Sequence, residues 1–232
     1  MRQFTQFGIE VLGTDDVMSD AEVISLAYNT YKLLGIEPKV YINTLGDNES
    51  REKYREELVK YFKPHIKDLC EDCQVRLEKN PLRILDCKVD AGNEILANAP
   101  KTIDYLNEAS AKRFEEVKEY LDIMQIKYEV NPNIVRGLDY YNHTVFEIEA
   151  KVEGFGSNNV LGGGGRYDKL VSDLEGPQTP CVGMAFGMDR LLLAMESEGL
   201  LKENNDYIHL YIIALGDRAR LTTERLLYTI RM

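Results

Sequence analysis

The 232-residue sequence predicts an α+β fold, a sheet covered by a layer of helices. Three observations lead there. Strand-type patterning occurs near the N-terminus and returns from residue 126. A charge-rich helical block separates the two, from about 47 to 124. A last strand–helix pair follows a polar linker.

Residues 2–12 read as a strand in which Phe4, Gln6, Gly8 and Glu10 share one face. After the turn Gly13-Thr14-Asp15-Asp16, Ser19 with Glu22 three residues on predicts a capping box and a helix. Ile24, Ala27, Tyr31 and Leu34 form its apolar stripe, and Gly35 ends it. Residues 38–43 read as a short strand. In the 47–124 block, Ile103, Leu106, Phe114, Val117, Leu121 and Met124 recur at helical spacing, and the charges read as a solvated face. Residues 126–130 and 144–150 are strand-like, the second with Phe146, Ile148 and Ala150 on one face. The glycines 162–165 predict a close backbone approach or a turn. Residues 166–174 read as a helix, 181–187 as a small-residue strand and 188–198 as a helix. The domain reading is a core over 1–200, a linker over 201–206 and the start of a second domain over 207–232. There, 208–215 reads as a buried strand and 219–230 as a helix. One strand and one helix cannot bury both faces of a sheet, so the chain is expected to stop inside that domain.

Hydrophobic residues make up 44% and charged residues 29%, as in globular proteins generally. No apolar run reaches the roughly 18 residues of a membrane helix, and Met1-Arg2-Gln3-Phe4-Thr5 has no signal-peptide core. A cytoplasmic location with no membrane partner is expected. The net charge of −11 argues against sequence-blind binding to nucleic acid and leaves a local basic patch open. Cysteines stand at 70, 73, 87 and 181, a spacing unlike a disulfide scaffold. Cys70, Cys73 and Cys87 with His65 make four conceivable zinc ligands, but a second close ligand pair is lacking. Reduced structural thiols, and no metal, are expected.

Three segments carry residues that packing alone does not explain. In Gln6-Phe7-Gly8-Ile9-Glu10, Gln6 and Glu10 project from one face, and Gly8 leaves room between them. Together they suit a cationic or N–H-bearing small molecule, or else form an exposed polar strand face. Val135 to Tyr141 places Arg136 and Gly137 beside Tyr140 and Tyr141. That set suits an anion next to a ring, or a surface turn with an Arg–Asp pair. Gly162 to Asp168, followed by Gly183 to Arg190, lets backbone approach a flat ligand. It is neither a P-loop nor a dinucleotide fingerprint. Arg190 falls in a helix's first turn, where a guanidinium can meet a phosphate; a plain bend is the other reading.

In this order the segments resemble the histidyl-tRNA synthetase family of bacterial type, over essentially the whole chain. Residues 2–10 look like the second half of class II motif 2. Arg136-Gly137-Leu138-Asp139-Tyr140-Tyr141, with Thr144 to Glu147, looks like the histidine-specific signature, and Gly163 to Asp168 like the second signature. Gly183 to Arg190 looks like motif 3, and Tyr211 to Gly216 like the start of the anticodon-binding domain.

The resemblance implies a class II antiparallel sheet flanked by helices, with a helical insertion at about 47–124 and the first β-α unit of an α/β anticodon-binding domain. It implies a ligase that condenses histidine with ATP and passes the histidyl group to tRNA(His). Arg136 would be catalytic. Gln6, Glu10, Tyr140, Tyr141 and Tyr167 would bind histidine; Arg190 and Gly187 would bind ATP, which enters with Mg²⁺. The whole enzyme would be a homodimer. Motif 1, the first strand of motif 2 and most of the anticodon-binding domain are not in the sequence, so the chain alone is expected to have little or no activity. His143 and His209 are expected to be structural or exposed. The synthetase-like regulatory subunit of ATP phosphoribosyltransferase, a histidine-binding module or another class II synthetase are the alternatives. The intact Arg136–Tyr141 segment favours the synthetase over the regulatory subunit.

Overall fold

The computed structural model describes residues 3–151, 159–201, 208 and 210–231. The elements are β1 (Gln6–Leu12), α1 (Val17–Leu33), β2 (Lys39–Thr44), α2 (Asn48–Phe62), α3 (Glu71–Lys79), α4 (Glu94–Ala97), α5 (Glu108–Ile123), β3 (Tyr128–Val130), β4 (Asn142–Glu149), β5 (Val160–Arg166), α6 (Leu170–Asp173), β6 (Cys181–Gly187), α7 (Met188–Ser197) and α8 (Asp217–Arg231). The strands form one sheet in the order β1-β6-β5-β4-β2-β3. Every neighbouring pair is antiparallel except β2–β3, which is parallel at the sheet's edge.

Strand alternation divides the sheet into two unlike faces. Val182, Met184 and Phe186 of β6, Phe146 and Ile148 of β4, and Val40 and Ile42 of β2 are buried in one core. The helices close that core with Ile24, Ala27, Tyr28 and Tyr31 of α1, Phe114, Val117 and Leu121 of α5, and Leu191 and Ala194 of α7. The apolar stripe read from the sequence of α1 thus lies on the sheet. The other face carries Gly183, Ala185 and Gly187 and remains open to ligands.

Several local readings change. The cap of α1 is Asp16, not Ser19: its carboxylate accepts from Met18 N at 2.9 Å. Ser19 sits one turn in, its hydroxyl donating to Asp16 O at 2.6 Å. The glycines 162–165 form the middle of β5 rather than a turn, because β4 and β6 on either side take up their backbone groups. The predicted helix 166–174 contracts to α6, since Arg166 belongs to β5.

The 47–124 block divides in two. α2, α3 and the short turns up to residue 105 have their own core, which includes Tyr54, Leu58, Phe62, Ile84 and Leu96 and also takes in Val135. α5 packs with α1 on the sheet instead.

A second unit spans 202–232. Within it, Ile208 and residues 210–215 form no strand, and Tyr211, Ile213 and Leu215 are exposed. A strand needs a neighbour for its hydrogen bonds, and the described residues of this unit supply none. α8 matches its predicted span closely. Most of the predicted linker, and His209, lie outside the described residues. No helix among the described residues is long and apolar enough to cross a membrane.

Arg166 ties the start of α1 to the sheet. It is fully buried and donates to Asp20 Oδ1 (2.9 Å), Asp168 Oδ1 (3.0 Å), Ser19 Oγ (2.9 Å) and the carbonyls of Thr14 (3.0 Å) and Asp16 (3.2 Å). Asp20, also fully buried, accepts a further bond from Thr144 Oγ1 at 3.1 Å.

His143, second in β4, has φ of +47°, and its Nδ1 is buried without a hydrogen-bond partner among the described residues. Burial, then the nearby Arg113 charge, holds its pKa below the usual 6.5; Asp168 and Asp47 oppose that shift and Arg166 adds to it. The neutral ring is therefore favoured in the fold, while the unfolded chain takes up a proton near pH 6.5. This contribution to stability is intact above about pH 6.5 and declines as pH falls through the window below it. The slope from one such group cannot exceed about 1.4 kcal/mol per pH unit. Urea unfolding between pH 7.5 and 5 should show this loss, and His143→Gln should flatten it; an equal slope in the variant would remove His143 as its cause.

Candidate functional site

The open sheet face is the floor of a cleft of about 670 Å³, a size in the range of small-molecule sites. Strand register lays the floor out in rows. Gln6 lies opposite Gly187; Gly8 lies opposite Ala185, which pairs with Gly163, which pairs with Glu147; Glu10 lies opposite Gly183, which pairs with Gly165. Successive rows are two residues apart, about 7 Å. The floor is built from residues with little or no side chain, so functional groups can lie flat upon it.

The glycines are needed for that space. A methyl on Gly183 would overlap the Glu10 carboxylate, and one on Gly163 would come within 2.8 Å of Arg136 Nη1 and 2.7 Å of Phe146 O. The close approach read from the glycine run is present: the backbone of β4 and β6 comes up against all four glycines, and the Arg136 and Tyr141 side chains lie over Gly163 and Gly165.

Arg136 stands over the Gly163 row. Its Nη1 donates to Glu147 Oε1 at 2.7 Å, and its guanidinium carbon lies 5.8 Å from the centre of the Tyr141 ring. Its φ of +58° is a left-handed conformation costly for a side-chain-bearing residue and frequent at functional sites. Its Nε is buried without a hydrogen-bond partner among the described residues.

Three tyrosines gather near the Glu10 row. Tyr140 and Tyr141 have ring centres 4.7 Å apart, and Tyr167 meets both edge-on at 5.7 and 6.4 Å. They back onto Leu45, Ile134 and Val145. The Tyr167 hydroxyl donates a short hydrogen bond to the Glu10 carboxylate. Burial pushes the Tyr140 phenol up to about 12. Burial, and then the Glu10 carboxylate, raises that of Tyr167. Both stay protonated at neutral pH and serve as hydroxyl donors.

α7 begins where β6 ends, so its N-terminus faces the cleft beside Gly187. Asp189 and Arg190 occupy its first turn. Asp189 Oδ2 accepts from Thr5 N at 2.9 Å, and Arg190 Nε donates to Val160 O at 2.7 Å, which fixes both stems. A helix N-terminus with an arginine in its first turn suits phosphate.

Gln6, Glu10, Arg136, Tyr140, Tyr141, Tyr167, Gly187 and Arg190, chosen from the sequence, all line this one cleft. Sequence reasoning missed two partners. Glu147, which holds Arg136, was legible as the polar residue between Phe146 and Ile148 on β4. Asp189 gave no signal of its own.

A six-stranded sheet with one face packed on helices and the other forming this cleft has the fold of a class II aminoacyl-tRNA synthetase core. The histidyl-tRNA synthetase family model matches residues 1–191, so the chain belongs to that family. It is 50% identical over 231 residues to a histidine–tRNA ligase of Geobacillus thermodenitrificans and 51% identical over 231 residues to that of Bacillus subtilis. Each alignment covers 99% of this chain but 54% of the relative, so the chain spans about half the length of these curated relatives. The crystal structure of apo histidyl-tRNA synthetase from S. aureus superposes with a TM-score of 0.73 at 41% identity, covering 99% of this chain and 56% of that one. An ATP phosphoribosyltransferase regulatory subunit/histidyl-tRNA synthetase from Bacillus halodurans shares the fold, with a TM-score of 0.54 at 22% identity.

Proposed function

We propose that the cleft binds histidine and ATP as part of a histidine–tRNA ligase. The observation that carries this is the row order: Glu10 with Tyr141 and Tyr167, then Arg136, then Gln6 with Gly187 and Arg190. An imidazole suits the first row, where a carboxylate accepts and phenols donate. The substrate carboxylate then falls near Arg136, and the ATP phosphates reach Gln6, Arg190 and the start of α7. Tyr140 completes the aromatic wall. The buried, unmet Nε of Arg136 gives an anionic oxygen a donor.

The chemistry follows from that layout. A carboxylate oxygen of histidine attacks the α-phosphorus, the bond from phosphorus to the bridging oxygen breaks, and pyrophosphate leaves. A terminal ribose hydroxyl of tRNA(His) then attacks the acyl carbon and AMP leaves. No protein nucleophile takes part; Arg136 stabilises charge on the phosphate and aligns the reactants. Mg²⁺ enters with ATP as substrate. The whole enzyme works as a homodimer.

Calorimetry on the chain tests the histidine pocket. Histidine should bind, and Glu10→Gln should weaken it by about 10-fold or more, the worth of a charge-assisted hydrogen bond. ATP binding should change little. Equal histidine affinity in wild type and variant would remove Glu10 from the pocket.

A further inference from the structure

Outside the cleft, the helical lobe between α2 and residue 105 holds four side chains whose arrangement its packing does not require. Cys70 is the N-cap of α3 yet makes no side-chain capping bond. Cys73 follows three residues later, so both thiols leave the same side of the helix start. The turn Pro81–Ile84 brings the chain back, with Cys87 N donating to Ile84 O at 3.0 Å. Asp90 then reaches over, its Oδ2 accepting from Cys70 N at 3.1 Å. The ligand atoms of Cys70, Cys73, Cys87 and Asp90 all lie within 4.8 Å of one another. Cys70 Sγ and Cys87 Sγ are 3.6 Å apart, and Cys87 Sγ and Asp90 Oδ2 are 3.5 Å apart. His65, the fourth ligand suggested by the sequence, is not in the group and packs beside the Tyr61 ring.

We infer that Cys70, Cys73, Cys87 and Asp90 form a four-ligand structural site for a zinc ion. Tetrahedral zinc with arms of about 2.3 Å to sulfur and about 2.0–2.2 Å to oxygen holds its ligand atoms about 3.4–3.8 Å apart. The two separations above fall in that range. They are far from the roughly 2.05 Å of a disulfide, and all four cysteines are free thiols. Apolar packing does not account for the group either, because it would not bring a carboxylate among three thiols. Three sulfurs and one oxygen match the ligand preferences of zinc better than those of magnesium or calcium, which take oxygen. With four protein ligands the shell is closed, so the ion is structural.

The lobe has reason to need such a clamp. Beyond α2 and α3 it consists of short turns around a small core, and small cores are commonly reinforced by a metal or a disulfide. The ion would pin the start of α3 to the 81–90 segment. The residue that ends α3 in turn touches the segment that carries Arg136 and Tyr141: Asn80 donates to the side chain of Asp139, which lies between them in sequence.

The test uses the whole chain, purified with a thiol reductant and without chelator. Elemental analysis should find close to one zinc per chain. Cobalt(II) added to chelator-stripped protein should give the visible bands of a tetrahedral site and near-ultraviolet thiolate-to-cobalt absorption. Cys87→Ser should abolish both. Asp90→Ala should keep the thiolate absorption but weaken metal binding at least tenfold, and it serves as the readout if Cys87→Ser does not fold. Zinc-free protein that gives no cobalt bands overturns the inference. So does unchanged metal binding in Cys87→Ser, unchanged affinity in Asp90→Ala, or a Cys70–Cys87 disulfide in the reduced preparation.

Discussion

Replacing Arg166 by methionine is expected to destabilise the fold by about 3–5 kcal/mol, read as a lower urea midpoint with an unchanged denaturant slope. The reason is what remains behind. Asp20 is fully buried, and burial already raises its pKa against the opposing pull of Arg166 and Arg113. Without Arg166 its carboxylate keeps, among the described residues, Thr144 at 3.1 Å and Arg113 at 3.6 Å. The Thr14 carbonyl also loses its donor, while that of Asp16 keeps the Ser19 N–H and hydroxyl. Asp20→Asn added to Arg166→Met should recover part of the loss, because the stranded charge is gone, and the two substitutions should be far from additive. The cleft should suffer as well. Tyr167 is held between Arg166 and Asp168, and Asp168 in turn binds Asn142 Nδ2 at 2.8 Å and Cys181 N at 3.2 Å. A cost below about 1 kcal/mol, the worth of a surface pair, would show that Arg166 is not the tie described above.

This arginine also shows how far the sequence could be read. Its segment, Gly163 to Asp168, was legible as functional, and Tyr167 does reach the cleft. Arg166, one residue away, points to the opposite face because strand side chains alternate, and there it is structural. Period-two patterning on β1 gave Gln6 and Glu10 their shared face directly. Nothing in one strand, however, tells which residues will lie beside it, so the pairings of Glu10 with Gly183 and of Gly163 with Glu147 appear only in the folded sheet. The same limit hid Asp90. A ligand pair close in sequence is visible as Cys70 and Cys73, whereas a carboxylate delivered by a turn looks like any surface acid. Ile208 and residues 210–215 show the opposite error: an apolar run predicts burial, but a strand forms only where a partner edge exists.

Arg136→Ala should weaken a non-hydrolysable histidyl-adenylate analogue about 100-fold and histidine alone by much less, measured by calorimetry on the chain. The difference between the two ligands is the point. Arg136 stands one row from the Glu10–Tyr141 pair, over Gly163; in the proposed binding mode its guanidinium would meet the part of the ligand where carboxylate and phosphate join. Removing a guanidinium from such an anion costs about 1.5–3 kcal/mol in binding, roughly 10- to 150-fold. It leaves the imidazole end untouched. The substitution also frees Glu147, whose carboxylate lies 2.7 Å from Arg136 Nη1 and would then face the ligand's negative charge unpaired. Arg136→Ala with Glu147→Gln should therefore bind the analogue more tightly than Arg136→Ala alone, though less tightly than wild type. Arg136→Lys keeps the charge but loses the planar fork, and should recover only part of the affinity. Equal losses for histidine and for the analogue would place Arg136 at the amino-acid end and reverse the order of the rows.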